Sequence, residues 1–364
     1  MTTTTVWRNQ KFSNTISVVG LIVMMLATPT FGQAPSTAAD TSATSDWTGP
    51  RTSWGHPDLQ GVWTSDAEYG IPLERPAELG DRGLISEEDL AERLNEAEQR
   101  ARLEFADRSA LSPEEKADVP PRLPFGPVGD GPDHWFELGK AISARSSLIV
   151  DPEDGRIPPF TPGAQLRVVD PRSVVGNERD LGSQGTGPFN GPEDYHLSDR
   201  CITRGLPNTW LPQVYNNGFQ IVQHPDHVAI LYERLHEHRI IPLKGQLHLD
   251  KSVSQWMGDS RGHWEGDTLV VDVTNFGSKT TYKRSSHGLH LVERYTRVDE
   301  DTVIVETTID DPTTWTNPWT VRITGKRDAN YWQIFEYACH EANYSLSNML
   351  SAARTHDAET KESP

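Results

Sequence analysis

Three absences limit what this chain can do. It has 34 Lys and Arg against 52 Asp and Glu, so it lacks the basic clusters that bind nucleic-acid phosphates. After the N-terminal region, no segment approaches the run of about 18 apolar residues that a membrane-spanning helix needs. The G-x-S-x-G elbow, the H-E-x-x-H motif, the P-loop and the dinucleotide fingerprint are also missing. We expect no nucleic-acid partner, no integral membrane segment in the mature chain, and no serine hydrolase, zincin, NTPase or Rossmann dehydrogenase activity.

Cysteine is scarce, with only Cys201 and Cys339 in the sequence. In an oxidising compartment an even number of cysteines permits one disulfide, and the alternative is two buried free thiols. A bridge across so long a loop would stabilise the fold by up to about 5 kcal/mol in the chain-entropy model.

The first 34 residues have the pattern of a cleaved secretory signal. Arg8 and Lys11 precede an apolar stretch from Ile16 to Ala27, which suits a signal h-region but is short for a bilayer span. Small residues follow, and cleavage after Gly32 or Ala34 is expected. The alternative is an uncleaved N-terminal anchor. The pattern predicts a periplasmic or secreted location and a soluble mature chain.

Composition divides the mature chain into parts. The stretch after the signal is rich in Ser, Thr, Ala and Pro, which is typical of a disordered linker. The next part is dense in Gly and Pro, and Ser86 with Asp89 predicts the capped start of one surface helix. The predicted order is a signal peptide (1–34), a disordered linker (35–53), a loop-rich N-terminal wrap (54–217), a β-barrel core (218–354) and a disordered tail (355–364).

Short apolar runs separated by polar turns dominate the chain from Phe219 onward. The predicted strands are Pro57–Trp63, Phe219–Val222, Val228–Ile241, Gly262–Trp264, Thr268–Val273, Leu289–Val298, Thr302–Ile309, Trp319–Thr324 and Tyr331–Cys339. A short helix is predicted from Ser345 to Arg354. This spacing predicts a mainly β fold, an antiparallel meander that forms a barrel or a strongly curved sheet. Its architecture is lipocalin-like by analogy only, and architecture does not fix function.

Most of the 13 histidines lie in the predicted β core, and two are in a His-x-His pattern. On an unbroken strand, His236 and His238 would share the inner face with Tyr232, because side chains alternate between faces. The two imidazoles could serve acid–base chemistry or substrate contact, hold a transition metal, or be structural. We predict no organic cofactor, with a transition metal at His236 and His238 as the metal alternative.

A second set of titratable residues follows near the C-terminus. Glu336 and His340 would share a strand face, and Glu341 would take the other. A buried carboxylate beside an imidazole can act as a general acid–base pair, although ordinary cores contain such pairs too. The predicted catalytic residues are His236, His238, His340, Glu336 and Glu341.

Two further carboxylates, Glu233 and Glu293, lie inside apolar runs. A carboxylate buried without a partner is costly. We therefore expect each to pair with an arginine, from among Arg234, Arg239 and Arg294.

The string from Trp256 to Asp267 predicts a β-hairpin whose turn is Glu265-Gly266-Asp267. Arg261 and Asp259 could form an ion pair that organises the hairpin. Its tryptophans are large enough to form the floor of a pocket, and the alternative is that they are core residues. The predicted substrate-binding residues are Tyr232, Trp256, Trp264 and Arg261.

Several strings resemble those of a large family of exported bacterial proteins of unassigned function. They are PDLQGVW from Pro57, WMGDSRGHWEGD from Trp256, TNF from Thr274, LVERY from Leu291 and EYACHE from Glu336. The resemblance covers most of the mature chain. It implies export but no reaction, so no catalytic role comes from it.

The leading prediction is an extracytoplasmic enzyme that acts on a small, partly apolar molecule by His/Glu acid–base chemistry, as a lyase, isomerase or hydrolase. One alternative is a non-catalytic, lipocalin-like small-molecule binding protein. Another is a metal-dependent enzyme that uses the His cluster. All three depend on one spatial prediction, that strand alternation gathers the imidazoles and carboxylates inside an enclosed cavity.

Overall fold

In the part of the chain that the structure describes, ten antiparallel strands form a single curved sheet. The structure is a computed structural model, and it describes residues 47–95, 143–167, 189–213, 215–328, 332–341 and 343–362. The strands are β1 (Gly61–Thr64), β2 (Ile149–Asp151), β3 (Gly218–His224), β4 (His227–Tyr232), β5 (His238–Pro242), β6 (Asp259–Glu265), β7 (Thr268–Thr274), β8 (His290–Asp299), β9 (Thr302–Asp310) and β10 (Trp319–Lys326). Their order is β5-β4-β3-β1-β10-β9-β8-β7-β6, and β2 pairs with β10 beside this path. The predicted signal peptide lies outside the described residues.

Alternation in the sequence decides which side chains face inward. In β9, Val303, Val305, Thr307 and Ile309 are buried, while Ile304, Glu306 and Thr308 between them are partly exposed. β8 and β10 show the same period of two, as expected for strands with one face packed against a core. The concave face of the sheet is therefore filled with apolar and aromatic side chains.

The sheet is curved but not closed into a barrel. Its terminal strands, β5 and β6, are not paired by a hydrogen-bonded ladder in the described structure. They meet through side chains: Arg239 Nη1 lies 3.4 Å from Ser260 Oγ, and a Cβ at Gly262 would lie 2.8 Å from Ile241 Cγ2. Glycine at position 262 thus permits the close approach. The predicted mainly β, strongly curved fold is confirmed.

Two of the predicted strands are wrong in detail. The run Val228–Ile241 is two strands, because a 3-10 turn at Arg234–His236 reverses the chain, with positive φ at Leu235 and His236. The run Tyr331–Cys339 contributes no strand among residues 332–340. A disulfide between Cys339 and Cys201 holds this segment against the turns around residue 201 instead of along a sheet edge.

The part predicted as an N-terminal wrap also supplies sheet strands. β1 lies in the middle of the path, between β3 and β10, and its fully buried Trp63 packs under two guanidinium groups. The ring centroid of Trp63 is 4.5 Å from Cζ of Arg327 and 5.6 Å from Cζ of Arg297. This stack fills the inner face where β1 meets the end of β10.

The helices follow the predicted signals at their starts. At the surface helix, the backbone N of Asp89 donates to Ser86 Oγ at 3.0 Å, and the backbone N of Ser86 donates to Asp89 Oδ2 at 3.4 Å, as in a capping box. The C-terminal helix spans Tyr344–Glu362 and so continues beyond Arg354, through residues predicted to be a disordered tail. Within the described ranges, no helix is long and apolar enough to cross a membrane.

The two cysteines form a disulfide, with Cα atoms 5.7 Å apart. Of the two sequence alternatives, the bridge is therefore the one that the structure shows. It joins residues 138 positions apart and ties the segment before the C-terminal helix to the turns at residues 198–201. Asn343 adds a hydrogen bond to the backbone oxygen of Asp199 at 2.9 Å.

Candidate functional site

The His-x-His pair does not face the interior. His236 and His238 are exposed, whereas Glu237 and Arg239 are buried, so the predicted face assignment is reversed. The cause is the 3-10 turn, which removes His236 from the strand and sets the register of β5 so that Arg239 points inward. Because the turn interrupts the strand, the faces of His236 and His238 cannot be counted by alternation from Tyr232.

The C-terminal members of the predicted set are also exposed. Glu336, His340 and Glu341 lie in turns and irregular backbone, not on a strand. The contact linking this segment to the other histidines is a hydrogen bond from the backbone N of Tyr337 to His236 Nε2, at 2.9 Å. The structure therefore does not gather the five predicted catalytic residues in an enclosed cavity.

Metal binding finds no support at the histidine pair. Among the described residues, no group of three His, Cys, Asp or Glu side chains is placed to hold a metal ion. His236 and His238 lie on opposite sides of the break between the turn and β5 and are both exposed to solvent. The prediction that no organic cofactor is used remains a prediction.

The concave face instead holds a buried ion pair. Arg239 Nη2 lies 2.7 Å from Glu293 Oε2, and both side chains are almost completely inaccessible to solvent. The same Nη2 donates to the hydroxyl groups of Tyr232 at 2.6 Å and Tyr295 at 3.1 Å. We call these four residues the Arg239 cluster. The pairing with an arginine that was predicted for both carboxylates is confirmed for Glu293, whereas Glu233 Oε1 accepts a hydrogen bond from Asn216 Nδ2 at 2.9 Å.

Burial sets the ionisation of the Arg239 cluster. Burial raises the pKa of Tyr232 to about 12, and it raises the pKa of Tyr295 well above its ordinary value. Both phenols therefore stay protonated at neutral pH. Burial is the largest influence on the pKa of Arg239 and acts to lower it, but the charge and hydrogen bond of Glu293, together with the interactions with Tyr232 and Tyr295, raise that pKa overall. The pair is a cation and an anion whose formal charges cancel.

A small cavity adjoins the cluster on the same face. Its lining is Trp210, Phe219, Tyr232, Tyr295, Val305 and Ile323. It has about 10 Å³ of room for the centre of a water-sized sphere, which is close to the space that one water molecule needs. Five of the lining residues belong to strands, whereas Trp210 belongs to the turns of residues 201–213. Trp210 is thus the lining residue whose backbone is not held in the sheet.

Several buried polar atoms near this face lack a partner. In the described structure, no hydrogen bond reaches Arg239 Nε, Glu293 Oε1, Thr307 Oγ1 or Trp210 Nε1. Thr307 on β9 lies directly opposite Glu293 on β8 in the strand register. Buried polar groups are nearly always hydrogen bonded in proteins, so four such atoms on one side of a sheet call for an explanation.

The predicted substrate-binding residues are divided between different environments. Tyr232 belongs to the Arg239 cluster, and Trp256 is 46% exposed at the surface. Trp264 is partly buried, with its ring centroid 5.4 Å from that of His56. Arg261 Nη1 pairs with Asp259 Oδ1 at 2.6 Å, as the sequence predicted. These four residues do not form one pocket.

A second polar network lies on the outer face of β6, β7 and β8. His248 Nδ1 is 2.9 Å from Asp259 Oδ2, and His248 Nε2 is 2.7 Å from Asp272 Oδ1. The other oxygen of Asp272 is 2.6 Å from His290 Nε2. Both nitrogens of His248 thus face carboxylate oxygens. The network pins the β5–β6 loop to the sheet.

Within this network, Asp272 and His290 stabilise each other's charged form. The hydrogen bond that His290 donates to Asp272 raises the pKa of His290 above its ordinary 6.5, against a smaller lowering by burial. Burial acts to raise the pKa of Asp272, but hydrogen bonds and charge from His290 and His248 bring it below 3.8. Asp310 faces His290 from β9, and burial raises the pKa of Asp310.

These shifts predict how the pair affects stability with pH. A raised imidazole pKa gives stability that is complete below pH 6.5 and is lost as the pH rises through the folded-state value. A lowered carboxyl pKa gives stability that is present above pH 3.8 and is lost on acidification. The contribution of this pair to the free energy of unfolding should therefore be largest between pH 3.8 and pH 6.5. Because His290 is 37% exposed and Asp272 39%, we expect about 1 kcal/mol or less.

Urea unfolding of His290→Gln at pH 5.5 and pH 8.5 measures this dependence. The variant should be less stable than the wild type at pH 5.5 and nearly equal to it at pH 8.5. His263→Gln is the matched control, because His263 pairs with Glu265 at 3.0 Å but both side chains are at least half exposed. An equal loss of stability at both pH values in His290→Gln would contradict the proposed charge pairing.

Comparisons with known proteins give little further information. No family model matches the chain, and no curated protein matches it. A crystal structure of a secretary abundant heat soluble (SAHS) protein from Ramazzottius varieornatus is similar, with a TM-score of 0.21 and 12% sequence identity. The match covers 30% of this chain and 70% of that one. A likeness this weak supports no functional statement.

Proposed function

We propose that this chain is a small-molecule binding protein that holds a partly apolar, ring-sized molecule on the concave face of its sheet. The observation that carries the proposal is an aromatic-lined cavity that shares Tyr232 and Tyr295 with the Arg239 cluster, in which Arg239 Nε and Glu293 Oε1 are buried without a partner among the described residues. Ligand sites combine an apolar lining with a few polar groups that fix orientation, and this face offers both. Of the functions predicted from the sequence, the non-catalytic binding protein fits this geometry best.

The size of the cavity requires that binding widens it. Its present volume is far below the roughly 300 Å³ or more of typical ligand sites. Trp210 is the lining residue best placed to move, because its backbone lies in turns and its indole N–H has no partner among the described residues. Displacement of this indole would join its volume to the cavity. We therefore assign Trp210 the role of a lid.

The test uses the indole N–H resonances of the protein. Benzamide is the probe, since it has one aromatic ring and a group that both donates and accepts hydrogen bonds. We expect saturable binding with a dissociation constant below about 1 mM, which corresponds to about 4 kcal/mol. The Trp210 resonance, assigned from its loss in Trp210→Phe, should shift as the probe binds. The resonance of Trp332, which is 71% exposed, should not shift and is the control.

The other outcomes of this titration distinguish the proposed binding protein from its alternatives. If neither benzamide nor related ring probes shift the Trp210 resonance, the proposal is wrong. Ordered water would then be the expected partner of the buried polar atoms. Conversion of a bound molecule, seen as new signals over time, would favour the predicted enzyme over a binding protein. Recovery of the probe unchanged would favour binding alone.

A periplasmic or secreted location belongs to the same proposal. The disulfide between Cys201 and Cys339 supports it, because such bonds persist in oxidising compartments. The predicted signal peptide and the resemblance to exported bacterial proteins point the same way. Fractionation of a cell that expresses the full sequence would test the location.

A further inference from the structure

The ion pair on the concave face between Arg239 and Glu293 should influence which ligand charge the site accepts. We infer that the site selects an uncharged molecule with a hydrogen-bonding head, such as an amide, alcohol or phenol, over a carboxylate or an amine. This inference rests on the proposed function, since it concerns the same site. It depends on how Arg239 and Glu293 divide their hydrogen-bonding capacity.

Arg239 and Glu293 compensate each other's charge. A buried arginine with no counter-ion would attract an anionic ligand, but Glu293 Oε2 already lies 2.7 Å from Arg239 Nη2. A ligand carboxylate would be a second anion beside Glu293, and a ligand ammonium would be a second cation beside Arg239. In surroundings with little water, either like-charge approach is unfavourable and desolvation of the ligand charge adds to it. The pair therefore disfavours ions of both signs.

Buried donors and acceptors without a partner in the described part of the chain are available to a ligand on this face. Arg239 Nε is a free donor and Glu293 Oε1 is a free acceptor within the described residues. Trp210 Nε1 adds a donor, and Thr307 Oγ1 can donate or accept. A head group that both accepts and donates can satisfy this set, whereas a carboxylate only accepts and an ammonium only donates. The unsatisfied atoms thus match a neutral, bifunctional head.

The side chains that line the cavity indicate the chemistry of the apolar part of the ligand. Phe219, Tyr232 and Tyr295 contribute aromatic surfaces, and Val305 and Ile323 contribute branched aliphatic ones. These surfaces suit a flat or compact apolar body. The inferred ligand is therefore an uncharged aromatic or alicyclic molecule with one polar end.

Three probes of nearly equal shape separate charge from size. Benzamide is neutral, benzoate is an anion, and benzamidinium is a cation, at pH 7.5. We expect benzamide to bind the wild-type protein at least about tenfold more tightly than either ion, read from the Trp210 indole resonance. Benzoate binding as tightly as benzamide would overturn the inference and leave the binding function standing. Failure of all three to bind would overturn the proposed function itself.

A variant tests whether Glu293 is the origin of the selectivity. Glu293→Gln keeps the shape of the side chain but leaves the charge of Arg239 uncompensated. The preference for benzamide over benzoate should fall at least about tenfold. Glu306→Gln is the matched control, because Glu306 pairs with Arg322 on the outer face of the neighbouring strands. An unchanged preference in folded Glu293→Gln would overturn the inference.

If Glu293→Gln does not fold, a second variant still tests whether the polar head of the ligand binds at this face. Thr307→Val removes a buried hydroxyl that has no partner in the described structure, so the fold should tolerate it. Loss of one hydrogen bond to the ligand should weaken benzamide binding about 2- to 10-fold. Benzamide affinity equal to the wild-type value would contradict the assignment of the polar head to this face.

Discussion

Replacing Glu293 with alanine is expected to lower the free energy of unfolding by about 3–5 kcal/mol. The substitution leaves the guanidinium of Arg239 buried, with its counter-ion gone. It also removes the acceptor of the hydrogen bond from the Tyr295 hydroxyl, which is 3.1 Å from Glu293 Oε2. An uncompensated buried charge is costly because the interior cannot solvate it as water does. Urea unfolding at neutral pH measures the loss.

A matched pair on the outer face gives the control. Arg322 and Glu306 lie opposite each other on the neighbouring strands β10 and β9, and Arg322 Nη2 is 2.7 Å from Glu306 Oε1. Their side chains are 17% and 33% exposed, so water compensates either charge when its partner is removed. Glu306→Ala should therefore cost about 0–1 kcal/mol. Equal losses in the two variants would show that burial of the Arg239 cluster does not govern its energetics.

The double variant Arg239→Met/Glu293→Leu separates charge pairing from packing. Apolar replacement of both members of a buried ion pair is often neutral or stabilising. Here the hydroxyl groups of Tyr232 and Tyr295 lose their shared partner, so some loss remains. The double variant should still be more stable than Glu293→Ala alone. A double variant that is less stable than the single variant would contradict this account.

The sheet could be predicted because its signal is local. In β8, β9 and β10 the alternation of buried and partly exposed residues is carried by neighbouring positions in the sequence. The pairing of Glu293 with an arginine could also be expected, since a carboxylate in an apolar strand needs a partner. The identity of that arginine followed only from the strand register, which places Arg239 on the inner face of β5.

The reversal of the histidine face could not be predicted from the sequence. Residues 233–237 contain no Gly, Pro, Asn or Asp, so they give no turn signal. The turn is held by contacts made after folding, including the hydrogen bond from Tyr232 N to Glu237 O at 2.7 Å. Leu235 and His236 adopt positive φ there, which non-glycine residues seldom do. One such turn moved the predicted imidazoles from the interior to the surface.

The outer network had no sequence signal for a different reason. His248, Asp259, Asp272 and His290 come from a loop and three strands. They share a face because Arg261 pairs with Asp272, and Asp272 in turn pairs with Val292, in the strand register. Spacing along the chain does not encode that coincidence. Clusters built across a sheet become visible only when the register is known.

Removal of the disulfide is expected to have the other large effect on stability. The bond between Cys201 and Cys339 closes a loop with a sequence separation of 138 residues. In the chain-entropy model a loop of that length restricts the unfolded chain by about 5 kcal/mol, which is an upper limit. Cys201→Ser/Cys339→Ser should therefore unfold at a clearly lower urea concentration than the wild type.

The effect should arise from the unfolded chain more than from the native contacts. The curved sheet should remain intact both in the reduced protein and in the serine variant, because its ladders do not pass through residues 332–341. Reduction of the wild type with dithiothreitol should thus lower its unfolding midpoint to that of the double serine variant. The serine variant should be unaffected by the reductant. A wild-type midpoint that does not change on complete reduction would show that the segment before the C-terminal helix is held by its other contacts, and that the long loop contributes little.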